Sequence, residues 1–125
     1  ATLEKWSTQG ITGLRLDASS RSPGKNQFTV WEKASDLGLV ISCSGTTEEF
    51  ASSEFKGLVD QYQDMNIIIE HMAGAKPDTK SSCSIFAEAL ELSKYPNTYI
   101  RFPIFRTNSF EIINHLIKII YSLHF

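Results

Sequence analysis

Four short β-rich runs recur along the chain at intervals of about 30 residues, with helical patterns between them. The runs are Ile11–Asp17, Leu39–Ser44, Asn66–His71 and Thr98–Phe102. In the gaps, apolar residues spaced as on one face of a helix begin near Phe28, Phe50 and Ile85. Strands that alternate with helices in this way predict βαβ units and a parallel sheet. Because the runs are apolar without clean alternation, we expect both faces of the sheet to be covered.

Two architectures accommodate four such units: an open doubly wound sheet, or part of a closed barrel. A complete (β/α)8 barrel takes about 250 residues, and this chain has 125. The predicted fold class is therefore α/β, with parallel βα repeats. In the barrel architecture these repeats amount to about half of a (β/α)8 TIM barrel. In both architectures the ligand site lies at the carboxyl ends of the strands.

Polar residues close each of the four runs at that end. The strand-closing residues are Arg15, Asp17, Ser42, Cys43, Gly45, Glu70, His71 and Arg101. Their position predicts a polar site at the carboxyl edge of the sheet. Two interpretations of Arg15 remain open from the residues alone. Its guanidinium could grip a substrate carboxylate in bidentate fashion, or it could pair with Asp17 or Glu70 within the sheet.

Composition excludes several classes of protein. The formal net charge is −2 and the basic residues do not cluster, so nucleic acid is not an expected partner. No run of about 18 apolar residues is present, which argues against a membrane span. The two cysteines, Cys43 and Cys83, lie outside any CxxC pair. We interpret them as reduced thiols of a cytoplasmic protein, with Cys43 as a small buried hydrophobe.

Segments along the chain, taken in order, resemble the amidohydrolase superfamily. The nearest branch is the amidohydrolase-related family of metal-dependent barrel hydrolases and decarboxylases. The segments are Gly10–Leu16 (GITGLRL), Trp31–Ile41 (WEKASDLGLVI), Ile67–Gly74 (IIIEHMAG) and Tyr95–Arg101 (YPNTYIR). They are similar to that family's fourth strand, the helix and fifth strand that follow, the sixth strand, and the start of the seventh. The resemblance thus implies an internal piece of a barrel, about half of it in length.

The resemblance also implies site residues and chemistry. His71 corresponds to the family's sixth-strand histidine, which lies beside or on a divalent metal such as zinc or manganese and helps to position or activate the attacking water. It implies a catalytic role for His71 and a small carboxylate-type substrate. From their places at the strand ends, Arg15 and Arg101 are the candidate residues to bind that substrate. The implied reaction is attack of metal-activated water on a carboxylic ester, lactone or amide, or a related decarboxylation.

Departures from the family pattern limit what we expect of this chain alone. It has no HxH pair, and it ends before the strand that carries the family's metal-ligating Asp. Where the fifth strand often carries a metal histidine, Cys43 and Ser44 stand instead. The candidate ligands are thus His71 and Cys43, fewer than the roughly three protein ligands of a catalytic zinc. We therefore expect no metal on the isolated chain, and an inactive fragment.

The resemblance stops after Pro103, so we divide the chain there. Residues 1–103 form the partial barrel, and residues 104–125 form an aberrant hydrophobic tail that we predict to be helical. Apolar residues occur on nearly every face of that helix, so its amphipathicity is weak. The tail could be a buried helix that replaces the missing half of the barrel, an interface or membrane-surface segment, or the product of out-of-frame translation. We favour the last.

Two other classes of function are considered. A non-catalytic α/β module that binds a small molecule or a partner chain is the main alternative. Exposed sheet edges and the apolar tail would then support a homo-oligomer. A flavodoxin-like nucleotide-binding protein is disfavoured, because no Gly-rich turn follows the first strand.

Overall fold

The computed structural model describes residues 2–74 and 80–101. Its strands are β1 (Gly13–Asp17), β2 (Val40–Ser44), β3 (Ile67–Ile69) and β4 (Thr98–Ile100). All three strand pairings are parallel, and the spatial order is the chain order, β1-β2-β3-β4. A doubly wound sheet reverses its strand order at a switch point, whereas a barrel adds each new strand beside the last. The order is therefore consistent with part of a TIM barrel.

Helices connect the strands. The first four are α1 (Thr2–Thr8), α2 (Thr29–Asp36), α3 (Thr47–Ala51) and α4 (Ser53–Gln61). After β3 come a tight turn (His71–Gly74), the helix Lys80–Leu90 and a short 3₁₀ helix (Glu91–Lys94). None of the helices in the described ranges is long and apolar enough to cross a membrane. The α/β fold with four parallel strands confirms the predicted fold class.

The predicted helix from Phe50 to Tyr62 is two helices in the structure. Ser52 between them has an extended backbone, with φ −64° and ψ 145°. Its hydroxyl accepts a hydrogen bond from the Phe55 backbone N–H at 3.2 Å and so caps α4. Thr46 caps α3 in the same way and forms a capping box with Glu49. Because apolar spacing continues across Ser52, that spacing alone does not signal the break between the two helices.

Burial alternates along the strands, so the sheet has one covered face and one uncovered face. Leu14 and Leu16 of β1 pack against the core, while Arg15 between them is exposed. The core lies between the covered face and the helices. Its fully buried members include Ile41, Cys43, Ile67, Ile69, Trp31, Phe50 and Phe55. Coverage of both faces was expected; among the described residues, only the helix side is covered.

One buried side chain ties the sheet to the segment that follows α4. The Asn97 amide donates hydrogen bonds to the backbone carbonyls of Tyr62 at 3.1 Å and Met65 at 3.0 Å. Its side chain is buried. In the sequence, Asn97 was assigned only to the segment that resembles the start of the seventh strand, so this contact was not foreseen. It fixes where β4 begins, and through β4 it sets the position of Arg101.

Candidate active-site face

Polar side chains lie on the uncovered face of the sheet, near the carboxyl ends of the strands. We call this set the polar face; its members are Arg15, Asp17, Ser42, Ser44, Glu70 and Arg101. Alternation along each strand brings them to one side. All four strands contribute a member directly or through the residue that follows the strand. Polar side chains from neighbouring strands therefore form a row on this face.

Two contacts link the first strands of this row. Ser44 Oγ donates a hydrogen bond to Asp17 Oδ1 at 2.5 Å. Arg15 lies beside Ser42 in the parallel register of β1 and β2. Asp17 is exposed and therefore keeps access to water, so its contact with Ser44 costs little desolvation.

Glu70 is the buried charge of the polar face. Only 6% of its surface is exposed. Ser42 Oγ donates to Glu70 Oε1 at 2.8 Å, and Arg101 Nη1 lies 3.3 Å from both carboxylate oxygens. The Ser42 hydrogen bond, followed by the Arg101 charge, holds the pKa of Glu70 below its ordinary value against the opposing effect of burial. The ionised Glu70 carboxylate, which follows β3, is thus in contact with one residue of β2 and with the residue that follows β4.

The two arginines proposed to bind substrate differ in their surroundings. Arg101 is paired with Glu70, but its side chain is 64% exposed, so part of its guanidinium remains open to a ligand. Arg15 is exposed and forms no ion pair with any residue in the described ranges. Neither of the internal pairs considered for it, with Asp17 or with Glu70, is formed. Arg15 is therefore a free guanidinium on the polar face.

His71 begins a left-handed turn directly after Glu70. His71, Met72 and Ala73 have φ values of 52°, 53° and 55°, and Gly74 follows at 70°. A left-handed backbone costs a non-glycine residue roughly 1–2 kcal/mol, so neighbours must hold the turn. Met72 N donates to the Arg101 carbonyl at 3.1 Å. Thr47 Oγ1 donates to the Ala73 carbonyl at 2.9 Å. The turn buries Met72 and Ala73 and leaves His71 exposed at the carboxyl edge.

Cys43, the other predicted metal ligand, lies on the opposite side of the sheet. Its side chain has no exposed surface and belongs to the core between β2 and the helices. Burial raises the pKa of its thiol to about 12, which disfavours the thiolate that binds metals. The structure therefore does not bring Cys43 and His71 together. Cys43 fits the alternative interpretation, a small buried hydrophobe.

The donor set does not fit a metal centre within the described part of the chain. No group of three or more His, Cys, Asp and Glu side chains is arranged there to hold an ion. Glu70 is committed to Ser42 and Arg101, and Asp17 accepts from Ser44. His71 remains as the single exposed candidate. Residues 75–79 and 102–125, among them His115, His124 and the predicted helical tail, lie outside the described residues.

Comparison with known proteins identifies the family. The chain matches the amidohydrolase family model over residues 1–121. This match continues past Pro103, where the resemblance was expected to stop. An amidohydrolase 2 from Bifidobacterium longum subsp. infantis matches at a TM-score of 0.53 and 18% sequence identity, over 86% of this chain and 41% of its own. No curated protein matches the chain. The chain belongs to the amidohydrolase family, and it spans less than half the length of that solved relative.

Sequence reasoning located the polar face but missed how its members are connected. Glu70 and Ser42 were recognised only as strand-closing residues, because their contact depends on the register between β2 and β3. Thr47 was interpreted only as part of a helix start. Its contact with Ala73 joins residues 26 positions apart, and no local pattern signals such a pair.

Proposed function

We propose that this chain supplies part of the substrate-binding face of an amidohydrolase-type hydrolase or decarboxylase that acts on small carboxylate-type substrates. The observation that carries the proposal is the polar face. Polar groups from four neighbouring parallel strands stand together at the carboxyl edge, where barrel enzymes bind their substrates. Membership of the family supports hydrolase-like chemistry.

Arg15 is the residue that we assign to the substrate carboxylate. It is exposed and unpaired within the described ranges, and it lies beside Ser42 in the sheet register. A guanidinium binds a carboxylate through two parallel hydrogen bonds. We assign Arg101 a second contact with the substrate carboxylate. Only part of its guanidinium is available for it, because Nη1 already donates to Glu70. The Glu70 charge also keeps the polar face from attracting anions indiscriminately.

His71 is assigned the proton-handling role at the edge of the face. An imidazole ring can both accept and donate a proton, and the left-handed turn leaves this one exposed to solvent. The family's metal, zinc or manganese, requires ligands beyond the described residues. The sequence also has no HxH pair, and on that ground we infer that the 125-residue chain is inactive by itself. The free buried thiol of Cys43 favours a reducing, cytoplasmic location.

A titration with benzoate, followed by NMR of the isotope-labelled chain, tests the carboxylate assignment. Benzamide is the matched neutral ligand. We expect benzoate, but not benzamide, to shift the resonances of Arg15 and Ser42. Replacing Arg15 by Gln should weaken benzoate binding about tenfold or more, the effect of losing one charge-assisted pair.

The control variant is Lys5→Gln, which removes one positive charge from exposed α1. It should leave benzoate binding unchanged. Equal shifts from benzoate and benzamide, or equal weakening in Arg15→Gln and Lys5→Gln, would show that Arg15 does not recognise a carboxylate.

A non-catalytic binding module is the second candidate, and one observation favours it. Tyr99 and Val40 are 54% and 36% exposed, and both lie on the uncovered face. Exposed apolar groups on a sheet face favour association, including pairing of two copies. Sedimentation of the chain over a range of concentrations discriminates: association that Tyr99→Ser abolishes supports the module, and a monomer throughout contradicts it.

A further inference from the structure

The left-handed turn at His71–Gly74 needs support from outside itself. Three consecutive non-glycine residues have positive φ, a conformation that persists only where the surroundings fix it. Within the turn, the Ala73 backbone N–H donates to the Glu70 carbonyl at 3.2 Å. Two hydrogen bonds connect the turn to residues outside it. The Met72 backbone N–H donates to the Arg101 carbonyl, and the Thr47 hydroxyl donates to the Ala73 carbonyl. Thr47 is thus the one described residue whose side chain hydrogen bonds to the turn.

The hydroxyl of Thr47 is not needed to start α3. Thr46 caps that helix: its hydroxyl accepts from the Glu49 N–H at 3.2 Å, and its backbone N–H donates to the Glu49 carboxylate at 3.0 Å. The capping box is complete without Thr47. The bond from Thr47 Oγ1 to the Ala73 carbonyl, at 2.9 Å, is therefore a separate contact. This bond joins the start of α3 to the turn, and it is not part of the hydrogen bonding that caps α3.

The start of α3 also lies directly against Gly74. A methyl group added at Gly74 would come within 2.9 Å of the Gly45 carbonyl oxygen and 3.0 Å of the Thr47 backbone nitrogen. These distances are shorter than side chains tolerate, so the turn and the segment after β2 are in close contact. The segment that carries Thr47 thus limits where the turn can lie, while the Thr47 hydroxyl fixes its carbonyl.

We propose that Thr47 is a positioning residue for His71. Its hydroxyl holds the Ala73 carbonyl, fixes the left-handed backbone from His71 to Gly74, and thereby sets where the imidazole stands on the carboxyl edge. The importance of that position for catalysis rests on the proposed function. The conformational claim does not, because it concerns the backbone of the free protein.

NMR of the labelled chain at a fixed pH tests this role. Residues with positive φ have a characteristically short intraresidue HN–Hα distance, which can be measured for Met72 and Ala73. Thr47→Val removes the hydroxyl and keeps the shape. Thr47→Ser keeps the hydroxyl, and Thr29→Val removes a threonine hydroxyl that bonds to the Asn26 carbonyl, away from the turn.

We expect Thr47→Val to lose the positive-φ signature at Ala73 and to shift the His71 imidazole resonance. Thr47→Ser and Thr29→Val should retain both. Retention of the signature in Thr47→Val, or its loss in Thr47→Ser, would overturn the proposal. None of these measurements uses a ligand, so a failed benzoate titration leaves them unaffected.

Ala73→Gly covers the case in which Thr47→Val does not fold. Glycine adopts positive φ without strain, so the double variant Thr47→Val with Ala73→Gly should fold and recover the left-handed turn. Recovery supports a hydroxyl that offsets strain in the turn. A double variant that remains unfolded, or that folds without the turn, would contradict it.

Discussion

Ser42 is the polar-face residue whose replacement would leave a buried carboxylate oxygen without a hydrogen bond from a hydroxyl. It donates the 2.8 Å hydrogen bond to the buried carboxylate of Glu70, and that carboxylate cannot turn to water instead. We predict that Ser42→Ala lowers the free energy of unfolding by about 1–3 kcal/mol. Chemical denaturation monitored by fluorescence measures it.

Ser44 provides the matched control for that prediction. Its partner Asp17 is exposed, so water replaces the lost hydroxyl. Ser44→Ala should cost less than about 1 kcal/mol. Equal losses in the two variants would mean that Glu70 is less buried in solution than in the structure.

Cys43 gives a second prediction at this scale. Because it has no exposed surface and its pKa is raised to about 12, its thiol should not react with a thiol reagent near neutral pH while the chain is folded. Replacing Cys83 by Ser leaves Cys43 as the one thiol to follow. We expect labelling only in denaturant. Rapid labelling of the native protein would place Cys43 at the surface and restore it as a candidate ligand.

The places of single residues were predictable from the sequence where they depend on position along a strand. His71 and Arg101 were expected at the carboxyl edge, and they lie just after β3 and β4; Arg15 was also expected there but lies in the middle of β1. Cys43 was not predictable, because an apolar strand does not say which of its faces meets the helices. The pairing of Arg101 with Glu70 depends on the register of β3 and β4, which only the folded sheet defines.

Among the elements, the left-handed turn is the least tolerant of change. Gly74 has φ 70°, and a methyl group there would contact the Gly45 carbonyl oxygen. Gly74→Ala should therefore lower stability by about 2 kcal/mol or more, from backbone strain and the clash together. Thermal unfolding measures the change.

Gly57 is the matched glycine for comparison. It lies inside α4, where a methyl group would contact nothing within 4 Å. Gly57→Ala should raise stability by about 1 kcal/mol, because alanine is the better helix former. A Gly74→Ala variant as stable as the wild type would show that the turn is not left-handed in solution.

Elements were predicted well where hydrophobic spacing changed and poorly where it did not. Strands appear at all four expected places, but β1 begins two residues late and β3 covers only Ile67–Ile69 of the run Asn66–His71. Ser52 breaks the second helix while the apolar spacing continues, so the spacing predicted one helix. The turn after β3 also escaped prediction: His71, Met72 and Ala73 are residues that rarely adopt positive φ, and they do so only because Thr47, Arg101 and Gly45 surround them.

At the scale of the whole molecule, the parallel sheet has its strands in chain order and its helices on one side. This arrangement accounts for the likeness to a solved amidohydrolase and for the exposure of the polar face. A barrel encloses this side of its sheet and fills it with side chains. Within the described residues that side is open, which is why burial alternates where the sequence predicted strands covered on both faces. The structure therefore defines part of the face that we propose binds substrate, and within the described residues it assembles no group of metal ligands.

Elemental analysis of the purified chain tests this account most directly. The chain and its His71→Ala variant would each be exposed to zinc or manganese, exchanged into metal-free buffer and analysed. The account predicts less than one equivalent of metal in both, with no difference between them, because His71 lacks partner ligands in the described residues. A full equivalent in the wild type that is lost in His71→Ala would contradict it and show a complete metal centre on this chain.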